Sequence, residues 1–480
     1  MSDLDTAVRA ASSRELPRAE LAAAIVARLE QLGAPPESIA AAKKIARPKS
    51  VVVVAGQQPV LLGGPGLVWA KAVDAIERAR DIEARTGTPA VAVFWNASED
   101  HDHAECDHVR MDLGSEVETL RLPLPNDRRM LSRVPVPPEA RALLETLRAK
   151  FAQGGARDDV LAALEPAADD TMGSWFSRIL LRLLGREGLV VVEPETLRPF
   201  ARAVVEHEIA RPGELAASIR RADDAAAARG EARALDLPRP ELFFLVDDAG
   251  RRARVVREGN AWRAEDGRVL SDAQMRALPA GAFSWNVASR VLAQDVALPV
   301  AAQVCGPSEI AYCARLAEAH ASLGVPAPAL APRPHWAFVP PRAERLCRDL
   351  GADAASVALG TDTFAASPPA ADTSAVAAVR DAVERLPSGG SAAVQRRRAS
   401  LAQGVEAYAE ALARDAAEGD GVRAERRRKA LAILRPDGEG QDRRISPLPW
   451  FARLATAFLA ARVWQDAGPM RVIRIDGASR

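Results

Sequence analysis

One short stretch of the sequence concentrates side chains that could do chemistry. Residues 93–106, VFWNASEDHDHAEC, contain Glu99, Asp100, His101 and Asp102, and the whole chain has only six histidines. Carboxylates and imidazoles in this pattern could bind a metal ion. One such group held near neutrality could instead transfer a proton as an acid or base. A solvated acidic loop is the third interpretation.

The spacing of the histidines and aspartates in this stretch bears on the choice among these three interpretations. In an extended segment His101 and His103 share one side, with Asp100 and Asp102 opposite, and no second cluster supplies an obvious further metal ligand. We therefore expect no metal. The surrounding negative charge predicts a raised pKa for His101, which would make it a better base or anion anchor. Cys106 has no basic partner nearby in the sequence and is typical of a structural thiol.

The stretch follows a predicted strand, and the elements before it form a pattern. Val51–Val54 is a β-branched run typical of a strand buried on both faces. A loop over Ala55–Gly66 and a helix over Leu67–Thr86, which ends at Gly87, lead to the second apolar strand, Ala90–Trp95. These elements predict a βαβ unit with a right-handed crossover.

Further strands and helices alternate along the chain. A helix capped near Thr171 precedes strand Leu189–Val192, and strand Ala297–Cys305 precedes a helix from Ser308. The pattern predicts an α/β fold with a Rossmann-like parallel-sheet core covered on both faces. Residues 4–46 predict two Ala-rich helices.

Composition changes along the chain predict six ranges. They are N-terminal helices (1–47), a first stretch of the Rossmann-like core (48–211), an inserted connecting segment with a β-hairpin that turns at Asp248–Gly250 (212–279), a second stretch of the core (280–371), an α-helical, coiled-coil-like region (372–434) with breaks at 388–390 and 419–421, and a C-terminal segment (435–480).

Three polar clusters follow predicted strands, and ligands of open parallel sheets bind at the carboxyl ends of strands. The first loop could hold an anion at the start of its helix, although a tight turn explains its glycines equally well. The clusters are Gly56, Gln57 and Gln58 with Gly63, Gly64 and Gly66; Asn96 to His103, with Ser98; and Gly306, Ser308 and Glu309.

Three further side chains are candidates for the same cleft. Tyr312 lies one helical turn beyond Ser308 and Glu309. Arg290 and Arg333 could each bind a carboxylate or phosphate through a forked guanidinium, or form a surface ion pair. Glu309 suits the start of any helix.

Bulk properties narrow the class of protein. Lys plus Arg and Asp plus Glu both number 64, so the formal net charge is zero and no field draws the chain to nucleic acid or a membrane. Four separated cysteines fit a reducing compartment, and the N-terminus has no apolar leader. We expect a cytoplasmic protein.

Taken together, these motifs resemble one family, the bacillithiol-synthesis cysteine-adding enzymes (BshC-like cysteine ligases). The matching stretches are GQQPVLLGGPGLVWAKAVDAI, PAVAVFWNASEDHDHAE, FSWNVASRVLAQDVALPVAAQVCGPSEIAYCARL and, more weakly, QDRRISPL. The resemblance implies a nucleotidyltransferase-like core with inserted segments, and a coiled coil that forms a homodimer. Arg290–Val291 replaces the family's Arg-Pro, and the helical region is shorter than the family's coiled coil.

The resemblance also implies a reaction, the joining of cysteine to the amine of glucosaminyl malate to give bacillithiol, with ATP as a candidate activator. Asp100 or His101 would take the amine proton, and Glu99 and Asp102 would share their wall of the cleft. The remaining candidates would bind substrates: Gln57, Gln58, Asn96, Ser98, Arg290, Gly306, Ser308, Glu309, Tyr312 and Arg333, with Gly56, Gly63, Gly64 and Gly66 on a phosphate or other anion. Two alternatives stay open, a metal-dependent hydrolase of an amide or sugar and a non-catalytic nucleotide-binding scaffold.

Overall fold

The computed structural model describes residues 3–152, 156–235, 237, 239–362, 364, 374–387, 391–416, 421–454, 465–467 and 470–475. The predicted breaks at 388–390 and 419–420 lie outside these residues. The chain divides into two compact units, one with Met1–Trp336 and Asp442–Arg471, the other with Ala337–Gln441 and a short stretch from Val472. The six ranges drawn from composition stay a prediction.

The helices are as follows: α1 Asp3–Ser12, α2 Arg18–Gln31, α3 Pro36–Lys44, α4 Gly66–Thr86, α5 His103–Cys106, α6 Ala140–Lys150, α7 Arg157–Ala163, α8 Met172–Leu184, α9 Pro194–Leu197, α10 Arg202–Ala210, α11 Glu214–Ala228, α12 Asp272–Ala277, α13 Val287–Ala297, α14 Pro307–Cys313, α15 Ala317–Ser322, α16 Pro341–Asp349, α17 Ala354–Leu359, α18 Ser374–Glu384, α19 Ala392–Ala416, α20 Gly421–Leu434 and α21 Leu448–Phe451.

The strands are as follows: β1 Val51–Gln57, β2 Ala90–Asn96, β3 His108–Asp112, β4 Val117–Arg121, β5 Val190–Val192, β6 Phe243–Val246, β7 Arg252–Glu258, β8 Ala261–Ala264, β9 Val269–Ser271, β10 Phe283–Trp285, β11 Val300–Cys305, β12 Ala329–Pro332, β13 His335–Val339, β14 Gln465–Ala467 and β15 Met470–Arg474.

The predicted parallel sheet is present in the first unit. Its five strands run in the order β12-β11-β1-β2-β5, and every pairing is parallel. All seven residues of β2 are buried, which requires cover on both faces of the sheet. The α/β prediction with a Rossmann-like core is confirmed.

The strand order determines where a crevice opens at the edge of the sheet. From β1 the chain proceeds through β2 to β5 on one side, and it then returns to β11 and β12 on the other side of β1. The order therefore reverses between β1 and β11, and their outgoing loops separate to leave a crevice. Ligands of such sheets bind at this switch point.

Several element boundaries differ from those predicted. The N-terminal region forms three helices, because Pro17 starts a new one at Arg18. Strand β1 continues to Gln57, where it pairs with Asn96 of β2, so the loop starts later than Ala55. Ala297 ends α13 instead of starting β11.

The inserted segment forms a sheet of its own. Its five strands run in the order β10-β6-β7-β8-β9, with the β6–β7 turn at the predicted Asp248–Gly250. Phe243 packs against Trp262 and Phe283, with ring centres 5.5 and 5.7 Å apart. Strand β10 lies beyond the predicted range 212–279, because three residues of alternating apolar character give too weak a strand signal.

The second unit contains α16–α20, in which α18 packs on α19 and α16 packs on α20. Arg380 of α18 and Glu406 of α19 form an exposed ion pair at 2.7 Å. A coiled coil stays a prediction. None of the helices in the described ranges combines the length and apolarity that crossing a bilayer requires.

A buried carboxyl group on α10 makes the stability of the first unit depend on pH. Glu208 is 1% exposed. Burial first, and then the neighbouring carboxylates of Glu241 and Glu214, raise the pKa of Glu208 to about 8, although the nearby backbone N–H of Gly213 opposes the shift. The folded chain therefore retains a proton on Glu208 at neutral pH.

We expect Glu208→Gln to flatten the dependence of stability on pH. The ordinary pKa is 4.5 and the folded value is about 8, so the stabilising contribution of the protonated group is complete below pH 4.5 and is lost as pH rises through 8. Urea unfolding midpoints between about pH 5 and about pH 9 should fall less for the variant than for wild type. Glu206→Gln, at a half-exposed position on the same helix, is the control. Parallel curves for Glu208→Gln and wild type would contradict this assignment.

Candidate active site

A cavity of about 700 Å³ opens where β1, β2 and β11 end. Each predicted cluster contributes to its wall, as do the start of α13 and the inserted strand β7. The sequence candidates that line it are Gly56, Gln57, Gln58, Glu99, Asp100, Arg290, Gly306, Ser308, Glu309, Tyr312 and Arg333. The sheet therefore brings together residues that lie far apart in the chain.

Other candidates lie outside the cavity lining, namely Asn96, Ser98, His101, Asp102, Gly63, Gly64 and Gly66. Asn96 is fully buried, and its amide donates to the Gly173 carbonyl and the Ser177 hydroxyl, each at 2.8 Å. Ser98 is also fully buried. Both side chains belong to the packing between β2 and α8 rather than to a surface that a substrate could reach.

The glycines of the first loop serve the packing around the start of α4. Gly63 has φ +80°, and a Cβ there would lie 2.5 Å from the Trp69 ring. A Cβ on Gly66 would lie 3.1 Å from Cα of Asp442. The Gly66 N–H donates to the Ile445 carbonyl at 2.8 Å. The geometry therefore gives no basis for anion binding by Gly63, Gly64 or Gly66, whereas Gly56 does line the cavity.

Lys71 is a cavity residue that the sequence did not single out. It is 2% exposed on α4, and its ammonium lies 2.5 Å from Glu309 Oε2 and 3.0 Å from both Gly56 O and Gln57 Oε1. Burial lowers its pKa, against the opposing effect of Glu309. The signal available in the sequence was a lysine placed between two small apolar residues, Ala70 and Ala72, of a predicted helix.

Glu309 occupies the first turn of α14, as its position after a strand predicted. Its Oε2 accepts the Gly306 N–H at 2.7 Å and also contacts Lys71. Both interactions are internal to the protein, so the carboxylate has a structural role at the cavity wall. Ser308 is exposed beside it.

Glu99 is held from several directions. One carboxylate oxygen contacts Arg198 Nη2 at 2.5 Å and Nε at 2.8 Å, and the other accepts from the Ser284 hydroxyl at 2.9 Å and the Trp285 N–H at 3.1 Å. Glu99 and Arg198 are both buried. This arrangement fixes the β2 end against the inserted sheet, and Arg198 gave no sequence signal.

We expect Glu99→Gln to act through stability. The substitution leaves Arg198 as a buried, uncompensated cation, which should lower the free energy of unfolding by about 3–5 kcal/mol in urea titrations. Glu105→Gln, at an exposed position in the same stretch, should change it by less than about 0.5 kcal/mol. Lost activity with an unchanged unfolding free energy would instead give Glu99 a direct role in the reaction.

Asp100 is one of the residues that line the cavity. Its Oδ1 accepts the N–H groups of His101 at 2.7 Å and Asp102 at 3.1 Å, which fixes the side chain against its own loop. Asp102 itself is exposed. Of the acidic candidates after β2, Glu99 and Asp100 line the cavity, and Glu99 is already paired with Arg198.

His101 differs electrostatically from the sequence expectation. Its Nδ1 lies 3.3 Å from Nη1 of Arg252, which belongs to β7. Burial and the Arg252 charge lower the His101 pKa, and these outweigh the effects of Asp100 and Asp102. The prediction of a raised pKa was wrong, because the inserted sheet brings a cation that lies 151 positions away in the sequence.

The neighbouring His103 belongs to a different environment. Its two ring nitrogens face the backbone carbonyls of Pro125 and Arg129, and its side chain is buried. Burial also raises the pKa of the Cys106 thiol, as does the charge of Asp100. Within the described ranges, no group of three or more His, Cys, Asp and Glu is arranged to hold a metal ion.

Two arginine candidates, Arg290 and Arg333, also line the cavity. Arg290 Nη2 donates to the Tyr312 hydroxyl at 3.1 Å, and burial raises the Tyr312 pKa so that this hydroxyl stays protonated. Arg333 forms a buried ion pair with Asp442 at 2.5 Å. Asp442 also accepts the Trp336 N–H at 3.1 Å. Arg333 is thus neutralised within the protein, by a residue that lies in the weakly matching QDRRISPL stretch.

Comparison with known proteins gives the family. Residues 2–334 match the family described as "Bacillithiol biosynthesis BshC, N-terminal Rossmann-like domain". The chain belongs to this family. The match covers the sheet, the inserted segment and the cavity residues up to Arg333, and it ends before Asp442 and Arg443.

Curated relatives carry the name "Putative cysteine ligase BshC". The chain is 32% identical to the protein of Geobacillus thermodenitrificans over 66% of its own length and 61% of the relative's. It is 34% identical to that of Thermus thermophilus, over 67% of this chain and 64% of the relative. For the Heliobacterium modesticaldum protein the identity is 30%, over 61% and 56%. The chain thus spans less than two thirds of these relatives' lengths.

Proposed function

We propose that this protein is a cysteine ligase, which joins the carboxyl group of L-cysteine to the amine of glucosaminyl malate and so forms bacillithiol. The observation that carries the proposal is the cavity at the strand-order reversal, where the Asp100 carboxylate and the Arg290 guanidinium line the same space. A carboxylate suits an amine nucleophile, and a guanidinium suits a malate carboxylate. The relatives' name supports a cysteine ligase, and the family's description supports a place in bacillithiol biosynthesis.

The proposed reaction gives different roles to the cosubstrate and to the residues that line the cavity. An amine attacks a free carboxylate poorly, so cysteine needs activation, and ATP would supply it by converting a carboxylate oxygen into part of a leaving group. The C–N bond then forms as that C–O bond breaks, and Asp100 accepts the amine proton. Arg290 binds the malate, and Tyr312 orients a substrate hydroxyl. The cationic lining of the cavity fits an anionic cosubstrate.

Two other functions make different predictions for purified protein. A metal-dependent hydrolase would carry stoichiometric zinc that is lost on mutating His101 and His103. A non-catalytic scaffold would bind nucleotide without forming a product. Metal analysis of the purified protein tests the hydrolase. Incubation with cysteine and glucosaminyl malate, with and without ATP, followed by mass spectrometry of thiols, separates the ligase from the scaffold. Bacillithiol formation supports the ligase, and its absence with active substrates excludes it.

We expect Asp100→Asn to lower the rate of bacillithiol formation by about 100-fold or more, because the amide cannot accept the amine proton. His101→Ala should have the smaller effect, since its imidazole contacts Arg252 rather than the cavity. Asp107→Asn, whose carboxylate pairs with Arg121, is the control. If Asp100→Asn and His101→Ala both stay within about threefold of wild type, the acid–base assignment is wrong.

We also propose that α19 mediates a homodimer with a second copy of this chain. Val394, Leu401 and Tyr408 recur every seventh residue along the helix and are 43%, 53% and 61% exposed. Apolar residues at heptad spacing form a stripe that a second, identical helix can cover. Self-association is favoured because the same stripe is available on each copy.

We expect Leu401→Glu to convert a dimer into a monomer, because it places a charge in the middle of the stripe. Sedimentation equilibrium at several protein concentrations measures the mass directly. Gln403→Glu adds the same charge two residues away, at an exposed position off the stripe, and should leave the mass unchanged. A wild-type protein that stays monomeric at all concentrations would refute the dimer.

A further inference from the structure

Four of the cationic side chains that line the cavity divide into two groups by their partners. Lys71 pairs with Glu309, and Arg333 pairs with Asp442. Arg290 and Arg252 also line the cavity, but neither forms an ion pair with a carboxylate among the described residues. Arg290 and Arg252 therefore lack a direct carboxylate partner at its wall in the described stretches of the chain, although the charges of Glu99 and Asp100 act on Arg252.

Arg252 is held in place by neutral groups. Its Nη1 donates to the Glu99 carbonyl at 3.1 Å and faces the His101 ring, and its Nη2 donates to the Trp285 carbonyl at 2.6 Å. The guanidinium carbon lies 4.0 Å from the centre of the Phe244 ring. These contacts fix its position but do not cancel its charge.

Some hydrogen-bond donors of Arg252 also have no acceptor in the described residues. A guanidinium has five N–H groups, and the contacts above use three. Its Nε is buried without an acceptor in the described residues, an arrangement that costs about 1–3 kcal/mol unless a ligand or water relieves it. The side chain of Glu99, whose backbone carbonyl accepts from Arg252, already forms an ion pair with Arg198. The charge and the donors of Arg252 are thus available to an anion.

We infer that Arg252 is an anion-binding residue, which the inserted sheet brings into the same cavity as Arg290. The ligand is a carboxylate or phosphate group, because either accepts forked, charged hydrogen bonds from a guanidinium. This inference rests on the proposed function, in which such a group occurs in the malate moiety of one substrate and in ATP. It gives the insertion a role in recognition and adds a residue that the sequence candidates did not include.

Two matched variants isolate the charge. Arg252→Ala removes the guanidinium, and Arg252→Lys keeps the charge but loses the fork. Arg254→Ala is the control, since Arg254 lies on the same strand, is exposed and is absent from the cavity lining. Thermal unfolding of each protein shows whether the fold is retained. Should Arg252→Ala fail to fold, Arg252→Lys carries the test.

Direct binding separates this inference from the proposed reaction. Isothermal titration with L-malate and with pyrophosphate, in separate experiments, needs no turnover. We expect Arg252→Ala to weaken binding of one of these anions by about 10- to 100-fold, Arg252→Lys by less, and Arg254→Ala not at all. A selective loss of malate binding identifies the carboxylate as the ligand, and a selective loss of pyrophosphate binding identifies the phosphate.

Steady-state kinetics then identify which substrate carries the anion that Arg252 binds. A raised KM for glucosaminyl malate, with the KM for ATP unchanged, places the malate at Arg252, and the reverse places the nucleotide there. If Arg252→Ala and Arg252→Lys bind both anions as wild type does, the inference is overturned, whether or not the protein makes bacillithiol. If wild type binds an anion through Arg252 yet forms no product, the proposed function fails and the anion site stands.

Discussion

The buried ammonium of Lys71 is the constraint on which the shape of the cavity depends. It joins the Gly56 carbonyl, the Gln57 side chain and the Glu309 carboxylate across the line where the strand order reverses. An unpaired ammonium at this depth would be strongly unfavourable, so all its partners must be in place together. The end of β1 and the start of α14 are thereby fixed relative to each other at the cavity wall.

Much of the fold could be predicted because its signal is local. Apolar runs such as Val51–Val54 and Ala90–Trp95, and helix ends such as Thr171 and Gly87, report on their own immediate neighbours. The convergence of three clusters on one cleft followed from a general property of parallel sheets and required no knowledge of pairing.

The rest could not be predicted because it depends on partners far away in the sequence. Arg198 meets Glu99 across 99 positions, and Asp442 meets Arg333 across 109. Nothing in either local stretch indicates which charge is buried or what neutralises it. His101 shows the consequence, since its neighbours in sequence are acidic whereas the decisive neighbour in space is Arg252. The structure likewise distinguishes Asp100, which lines the cavity, from Asp102, which is exposed. The sequence alone gives no reason to prefer one of these aspartates over the other.

The ion pair between Arg333 and Asp442 has a consequence for the order in which this molecule is completed. Asp442 lies behind the whole of the Ala337–Gln441 unit in the chain, yet it packs on Gly66 and pairs with a cation beside the cavity. During synthesis Arg333 emerges from the ribosome about a hundred residues before the carboxylate that neutralises it. The unit that contains the cavity therefore includes a segment that is synthesised late, and the cavity acquires its final charge only after the intervening unit has been made.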